Sequence, residues 1–208
     1  MEKKFELTDK FVISAFGIKL FQIKCTKSFQ YANEGDLGGY VEKEDNLSQS
    51  GDAWVSGNAW VSGDARVSGD ARVSGNAWVY GDAQVSGNAW VYGYAQVSGD
   101  ARVYGDAWVY GDAQVYGNAW VSGDAQVYGN ARVENNHMHC GFDCFGSCNR
   151  HTHAYKTKGN KVEITCGCFR GSLEEFEKKV EETHKGTIYE KQYKAIINLI
   201  KIKFGIDG

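Results

Sequence analysis

Proline is absent from all 208 residues, and methionine occurs only twice. A chain without proline keeps a backbone donor at every position, which suits strands whose N–H groups all enter ladders. Histidine is missing from residues 1 to 136. Most of the chain therefore lacks the side chain that serves most readily as a general base or metal ligand near neutral pH. No apolar run reaches the length of a membrane-spanning helix, and the start, MEKKFELTDKF, lacks the apolar core of a secretion signal. These absences predict a cytoplasmic protein without a membrane partner. An excess of one charge is lacking too. The net charge is -3, which gives no bulk reason to expect nucleic-acid or membrane binding. Six cysteines in such a chain read as free thiols or metal ligands rather than disulfides.

What is abundant is glycine, with 26 residues, and most of it recurs at a fixed interval. From Gly51 to Glu134 the chain repeats a hexad: Gly, then Asp or Asn, Ala, a variable residue, Val, then Ser or Tyr. The phase holds through fourteen hexads without an insertion, and two looser ones precede it from Gly39 to Ser50. Ala and Val stand two residues apart, so on a strand they point to one side. The variable residue and the Ser or Tyr point to the other. Gly followed by Asp or Asn tolerates positive φ and marks a corner. Six residues thus make one short strand and one bend. Three units closing a triangle give a coil of about 18 residues, stacked on the next at about 4.8 Å. Ala and Val line the narrow interior, and all six tryptophans, which occupy the variable column, must face outward.

Residues one coil apart then form outer columns. The first face carries Trp54, Arg72, Trp90, Trp108 and Gln126, flanked by Ser56, Ser74, Tyr92, Tyr110 and Tyr128. The second carries Trp60, Trp78, Gln96, Gln114 and Arg132. The third carries Arg66, Gln84, Arg102 and Trp120, with Tyr104. The first is the most aromatic, so Trp54, Trp90, Tyr92, Trp108, Tyr110 and Tyr128 are the candidate partner-binding residues. The alternative reading is a ladder of rings that stack on one another and shield the sheet. Tyr94 stands where the other hexads place Asp or Asn. The acidic corner column is read as a backbone preference of Asp rather than as a cation site.

Three zones follow. Residues 1–50 form an N-terminal β cap, with KFEL and IKLFQIKC as strands and NEGDLGG as a turn. Residues 51–134 form the solenoid. Residues 135–208 form a small α+β cap. There HAYKTKGNKVEITCGC reads as a hairpin turning at Lys158 to Asn160. Ser172 and Glu175 form a capping box before a helix with Leu173, Phe176 and Val180 as its stripe. A second helix carries Tyr189, Tyr193, Ile196, Ile197 and Ile200 at helical spacing. Raw strand edges at the ends of a solenoid call for such covers.

All five histidines and five of the six cysteines follow the repeat. His139, Cys140, Cys144, Cys148, Cys166 and Cys168 are candidate zinc ligands. The spacing is not the usual pair of C-x2-C motifs, and buried thiols with surface histidines are the other reading. No other cofactor is expected.

Read as [Leu/Ile/Val]-x-Gly-x-Ala-x, the hexad resembles the hexapeptide-repeat superfamily. That resemblance implies a left-handed parallel β-helix, an all-β solenoid, and makes a homo-oligomer such as a trimer one expectation. Enzymes of that superfamily are acyltransferases using a histidine base, or carbonic anhydrases holding zinc between coils. The solenoid region here has no histidine, which departs from both. The flanks EGDLGGYVEKEDNLSQSG and TCGCFRGSLEEFEKKVEETH resemble phage- and prophage-associated hexapeptide-repeat proteins. This implies a mobile-element context, in which small proteins bind and block host components, CRISPR nucleases among them. The expectation is therefore a non-enzymatic protein that binds a protein partner. An acyltransferase-like enzyme and a self-associating structural protein are the alternatives.

Overall fold

The computed structural model describes residues 3–206, which fall into two compact units divided between Asn130 and Ala131. In the first unit the hexads wind as a parallel β-solenoid. Each hexad contributes one two-residue strand, such as Trp90–Val91, and each strand pairs with the one 18 residues on. Trp90 aligns with Trp108 and Val91 with Val109. The Trp90 N–H donates to the Ala107 carbonyl at 2.9 Å, and the Tyr92 N–H donates to the Val109 carbonyl at 3.0 Å. Three sheets result, and the strands at Trp54, Arg72, Trp90, Trp108 and Gln126 mark five coils on the first face. The corners explain the glycines. Gly87 has φ +69°, and a Cβ there would lie 2.8 Å from the Gly105 backbone nitrogen of the next coil. Both the left-handed conformation and the close approach demand glycine.

The interior is as dry as the hexad predicts. Every alanine and valine of the hexads from Ala53 to Val127 is buried, most of them fully. Removing side chains of this kind from water contributes roughly 25 cal/mol per Å² of apolar area, and each does so against its counterparts in the neighbouring coils.

The N-terminal strands extend one face of the solenoid. Leu37–Val41 runs parallel to Trp60–Val61, which places the loose hexads of residues 39–50 in a preceding coil. Lys19–Cys25 pairs antiparallel with that strand, and Phe5–Ile13 pairs antiparallel with Lys19–Cys25. Each coil donates its N–H groups to carbonyls of the coil that follows, so the first repeat coils would present open carbonyls. The segment before them supplies the donors. Tyr40 and Glu42 N–H groups reach Ala59 and Val61, and Ser48 N–H reaches Val67. The buried Asn46 amide donates to Gly63 and Ala65 at 3.0 and 2.9 Å. Lys4 Nζ donates to Gly51 and Ala53 at 3.1 and 2.8 Å. Backbone polar groups away from water require such partners.

The second unit is a four-stranded antiparallel meander with two helices on one face. Its strands are His139–Phe145, Arg150–Lys156, Val162–Cys166 and Phe169–Ser172. The expected hairpin is present, with its turn between Thr157 and Lys161. Two further strands flank it that the sequence reading did not place. Helix α1 spans Leu173–His184 and α2 spans Ile188–Phe204. The capping box is formed as predicted: Glu175 N–H donates to Ser172 Oγ, and Ser172 N–H donates to Glu175 Oε2. Ala154, Ile164, Leu173, Phe176, Val180, Tyr193, Ile196, Ile197 and Ile200 share one core.

Candidate binding faces

The first face is built by stacking one residue type upon itself. Tyr92, Tyr110 and Tyr128 occupy one column, and their rings lie 4.9 and 5.4 Å apart and nearly parallel. The spacing follows the coil rise, because ring separation in a parallel ladder cannot differ much from strand separation. Beside them Trp90 meets Trp108 edge-on at 5.5 Å and Tyr92 at 4.6 Å. The Trp90 indole N–H donates to Ser74 Oγ at 3.1 Å. The Arg72 guanidinium sits 3.9 Å from the Trp90 ring and 4.8 Å from the Tyr31 ring. A cation between two ring faces gains from both quadrupoles.

Stacking therefore claims part of every ring in the column, as the shielding reading expects. What remains for a partner is the rim. Trp108 keeps 38% of its surface exposed, while Trp90, Tyr92, Tyr110 and Tyr128 are half-buried. Trp54 is a correction to the candidate set. It faces outward from the coil, yet it is only 5% exposed, because Phe29 packs edge-on against it at 5.4 Å. The N-terminal segment covers the end of the column, so Trp54 serves this unit's own packing. The cleft left there holds about 180 Å³ between Tyr31, Trp54, Arg72 and Trp90.

The third face holds exposed aromatic surface that the sequence reading passed over. Trp120 and Tyr104 are both exposed and line a cleft of about 250 Å³ with Gln84, Ser86 and Arg102. The Arg102 guanidinium lies 5.1 Å from the Trp120 ring. Gln84 and Ser86 also line a larger, polar cleft of about 610 Å³ with Arg66, Ser68, Glu44 and Asp45. The signal for this face was the same 18-residue column, and counting rings ranked it below the first. Tyr94 stands exposed at its corner, and its N–H makes the ladder bond to Gly111. The left-handed residue of that bend is Gly93, so the corner accepts Tyr94.

In the second unit the six candidate zinc ligands part company. Neighbours on a strand face opposite ways. Cys140 packs against the helical core and Cys166 lies within it, whereas His139 faces the other side, its Nδ1 2.9 Å from His153 Nε2. Burial pushes the Cys140 thiol up to about 11, and zinc takes a thiolate. Cys144, Cys148 and Cys168 are exposed. Among the described residues no three His, Cys, Asp or Glu side chains come together as a metal centre needs. The histidine face also pairs His151 Nδ1 with Asp143 Oδ1.

A family model described as the YdcK β-solenoid repeat matches residues 65–81, 83–95, 95–111, 113–127 and 125–138. The chain is thus similar to a β-solenoid repeat family through the segment that forms the coils. A search of the curated proteins finds no match. No helix of the described residues is long and apolar enough to cross a membrane.

Proposed function

We propose that this β-solenoid is a non-enzymatic binding protein that presents its first face to a protein partner. The observation that carries the reading is Trp108, a large exposed ring beside a packed aromatic ladder. Rings held this way lose little conformational freedom when a partner arrives, and preorganisation of that kind favours affinity. Arg72, Trp90, Tyr92, Tyr110 and Tyr128 form the surround that excludes water from such a contact. The absence of histidine from residues 1 to 136 speaks against the acyltransferase alternative. The resemblance of the flanks to phage-associated proteins favours a host-defence enzyme, a CRISPR nuclease being one form, as the partner that is blocked.

The test is capture of a partner followed by titration of the purified pair. Trp108→Ala combined with Tyr92→Ala should weaken binding at least tenfold while the far-ultraviolet dichroism stays unchanged. Undiminished affinity in that variant would remove the first face from the reading. Trp120→Ala measured alongside tells the third face from the first.

A further inference from the structure

The N-terminal hairpin carries a feature that neither the coils nor the aromatic ladder uses. Its strands Phe5–Ile13 and Lys19–Cys25 meet at a turn closed by the Ser14 N–H on the Ile18 carbonyl. At that end Phe11, Val12, Ile13 and Phe16 are 49, 41, 59 and 74% exposed. Adjacent residues of a strand face opposite sides, so both faces of the tip are bare. Four large apolar side chains in six residues are more than scattered surface exposure accounts for.

The hairpin carries Glu6 and Asp9 in its first strand, Glu6 lying 3.8 Å from Lys24 Nζ, but its tip from residue 10 to residue 19 carries only Lys10 and Lys19 as charged residues. Lys19 Nζ is seated 4.0 Å from the Phe11 ring and 4.7 Å from the Phe21 ring, which holds an ammonium beside the apolar tip. The near-neutral total conceals this local cluster.

The geometry chooses among occupants. A second copy of the chain would add to the free edge of Phe5–Ile13. That edge is broken by a bulge: register slips between Leu7 and Phe11, where the Lys10 N–H turns back onto Thr8 Oγ1 at 3.2 Å. Bulges of this kind protect edges from pairing. A flat protein surface would cover one face of the tip and leave the other. A medium that surrounds the tip, apolar inside and anionic at its surface, satisfies both faces and the lysines together.

We propose that the hairpin tip is a membrane-surface anchor, with Phe11, Val12, Ile13 and Phe16 entering an anionic lipid bilayer and Lys10 and Lys19 meeting its headgroups. Apolar burial and attraction to anionic lipid add in such interfacial binding. The inference is independent of the partner assigned to the first face.

The test is flotation of the full-length chain with phosphatidylcholine vesicles and with phosphatidylcholine/phosphatidylglycerol vesicles. The chain should float with the mixed vesicles, less as salt rises, and hardly with phosphatidylcholine alone. Ile13→Ser combined with Phe16→Ser should weaken that binding at least tenfold. Lys10→Gln and Lys19→Gln should each cost about fivefold on the mixed vesicles. Absence of wild-type binding to the mixed vesicles overturns the proposal whatever the variants do. Undiminished binding by the Ile13/Phe16 variant does so too, as does a dimer in sedimentation that this variant abolishes. Dichroism confirms that each variant is folded.

Discussion

The two units bury apolar side chains against hydrogen-bonded backbone by opposite means. In the solenoid every interior position is equivalent to the one 18 residues away: Val91 lies between Val73 and Val109, and each of those has one more valine on its far side, Val55 and Val127. In the second unit each core residue is singular. Ile164, Phe176, Tyr193 and Ile200 come from different elements and none substitutes for another. A repeated core is specified by a rule, and a singular core is specified by fit. The rule is readable from one hexad; the fit is not.

A single violation of the rule should do the solenoid the greatest damage. Val91→Asp places a carboxylate in the dry interior between two valines. A buried charge without a partner costs several kcal/mol, a large share of the 5–15 kcal/mol that ordinarily holds a domain together. The expected outcome is loss of soluble protein and of a cooperative thermal transition. Gln96→Asp, on an outward position of the next strand, should shift stability by no more than about 0.5 kcal/mol. Equal tolerance of both changes would show that the valines do not line the interior.

Next in size is the corner. Gly87→Ala must accept a left-handed conformation, worth about 1–2 kcal/mol, and must also displace the Gly105 nitrogen that its Cβ would approach to 2.8 Å. A total of about 3 kcal/mol is expected. Gly186, between the two helices, has φ +78° with open space around it. Gly186→Ala should therefore show only the conformational cost of about 1 kcal/mol. Urea melts compare the two directly, and equal losses would mean that coil-to-coil contact adds nothing to the demand for glycine.

How far each unit was legible follows the same division. The interior Ala and Val and the 18-residue register follow from period and phase, because each hexad repeats the same instruction. The coil that precedes Gly51 pairs at an interval of 20 residues, Tyr40 with Trp60 and Leu47 with Val67, which the period does not dictate. Helix α1 was legible for a different reason: Ser172, Glu175 and the stripe of Leu173, Phe176 and Val180 are close in sequence. What stayed hidden depends on residues far apart. Trp54 is covered by Phe29, 25 positions away, and no periodicity connects them. Asn46 and Lys4 each satisfy two open carbonyls from isolated positions that leave no pattern. The strand His139–Phe145 alternates His139 and Asp143 outward with Cys140 and Phe142 inward, but cysteine and histidine blur the contrast on which such a reading rests. On the first face the columns were legible, while the division between stacking and exposure was not, since it depends on ring orientation.

A smaller change sharpens the contrast on the side of fit. Ser172→Ala removes the acceptor for the Glu175 N–H while leaving the core of the second unit intact. The cost of an N-cap of this kind is about 1 kcal/mol. It should appear as a lower urea midpoint at unchanged slope. A loss several times larger would mean that Ser172 does more than cap the helix.

The last effect is confined to alkaline pH and concerns the start of the repeat, where one lysine closes two carbonyls. Burial brings the Lys4 ammonium down to about 8 from an ordinary 10.5, against the opposing pull of Asp52, Cys25 and Asp70. Below pH 8 the folded chain holds a charge that burial disfavours, so the penalty is then fully present. As pH rises the folded state loses this proton before the unfolded state does, and the unfolded state binds more protons throughout that window. Stability from this group therefore rises with pH between about 8 and 10.5, and the penalty is gone above it. A neutral amine still donates to both the Gly51 and Ala53 carbonyls, so deprotonation removes the charge and leaves the two bonds in place. Lys4→Met removes the titration and leaves the two carbonyls without that donor at every pH. The difference in unfolding free energy, wild type minus Lys4→Met, should accordingly grow between about pH 7.5 and about pH 10. A difference that stays flat or shrinks over that range would show that Lys4 keeps its ordinary affinity for the proton, and that the carbonyls at the start of the solenoid are not closed by a desolvated lysine.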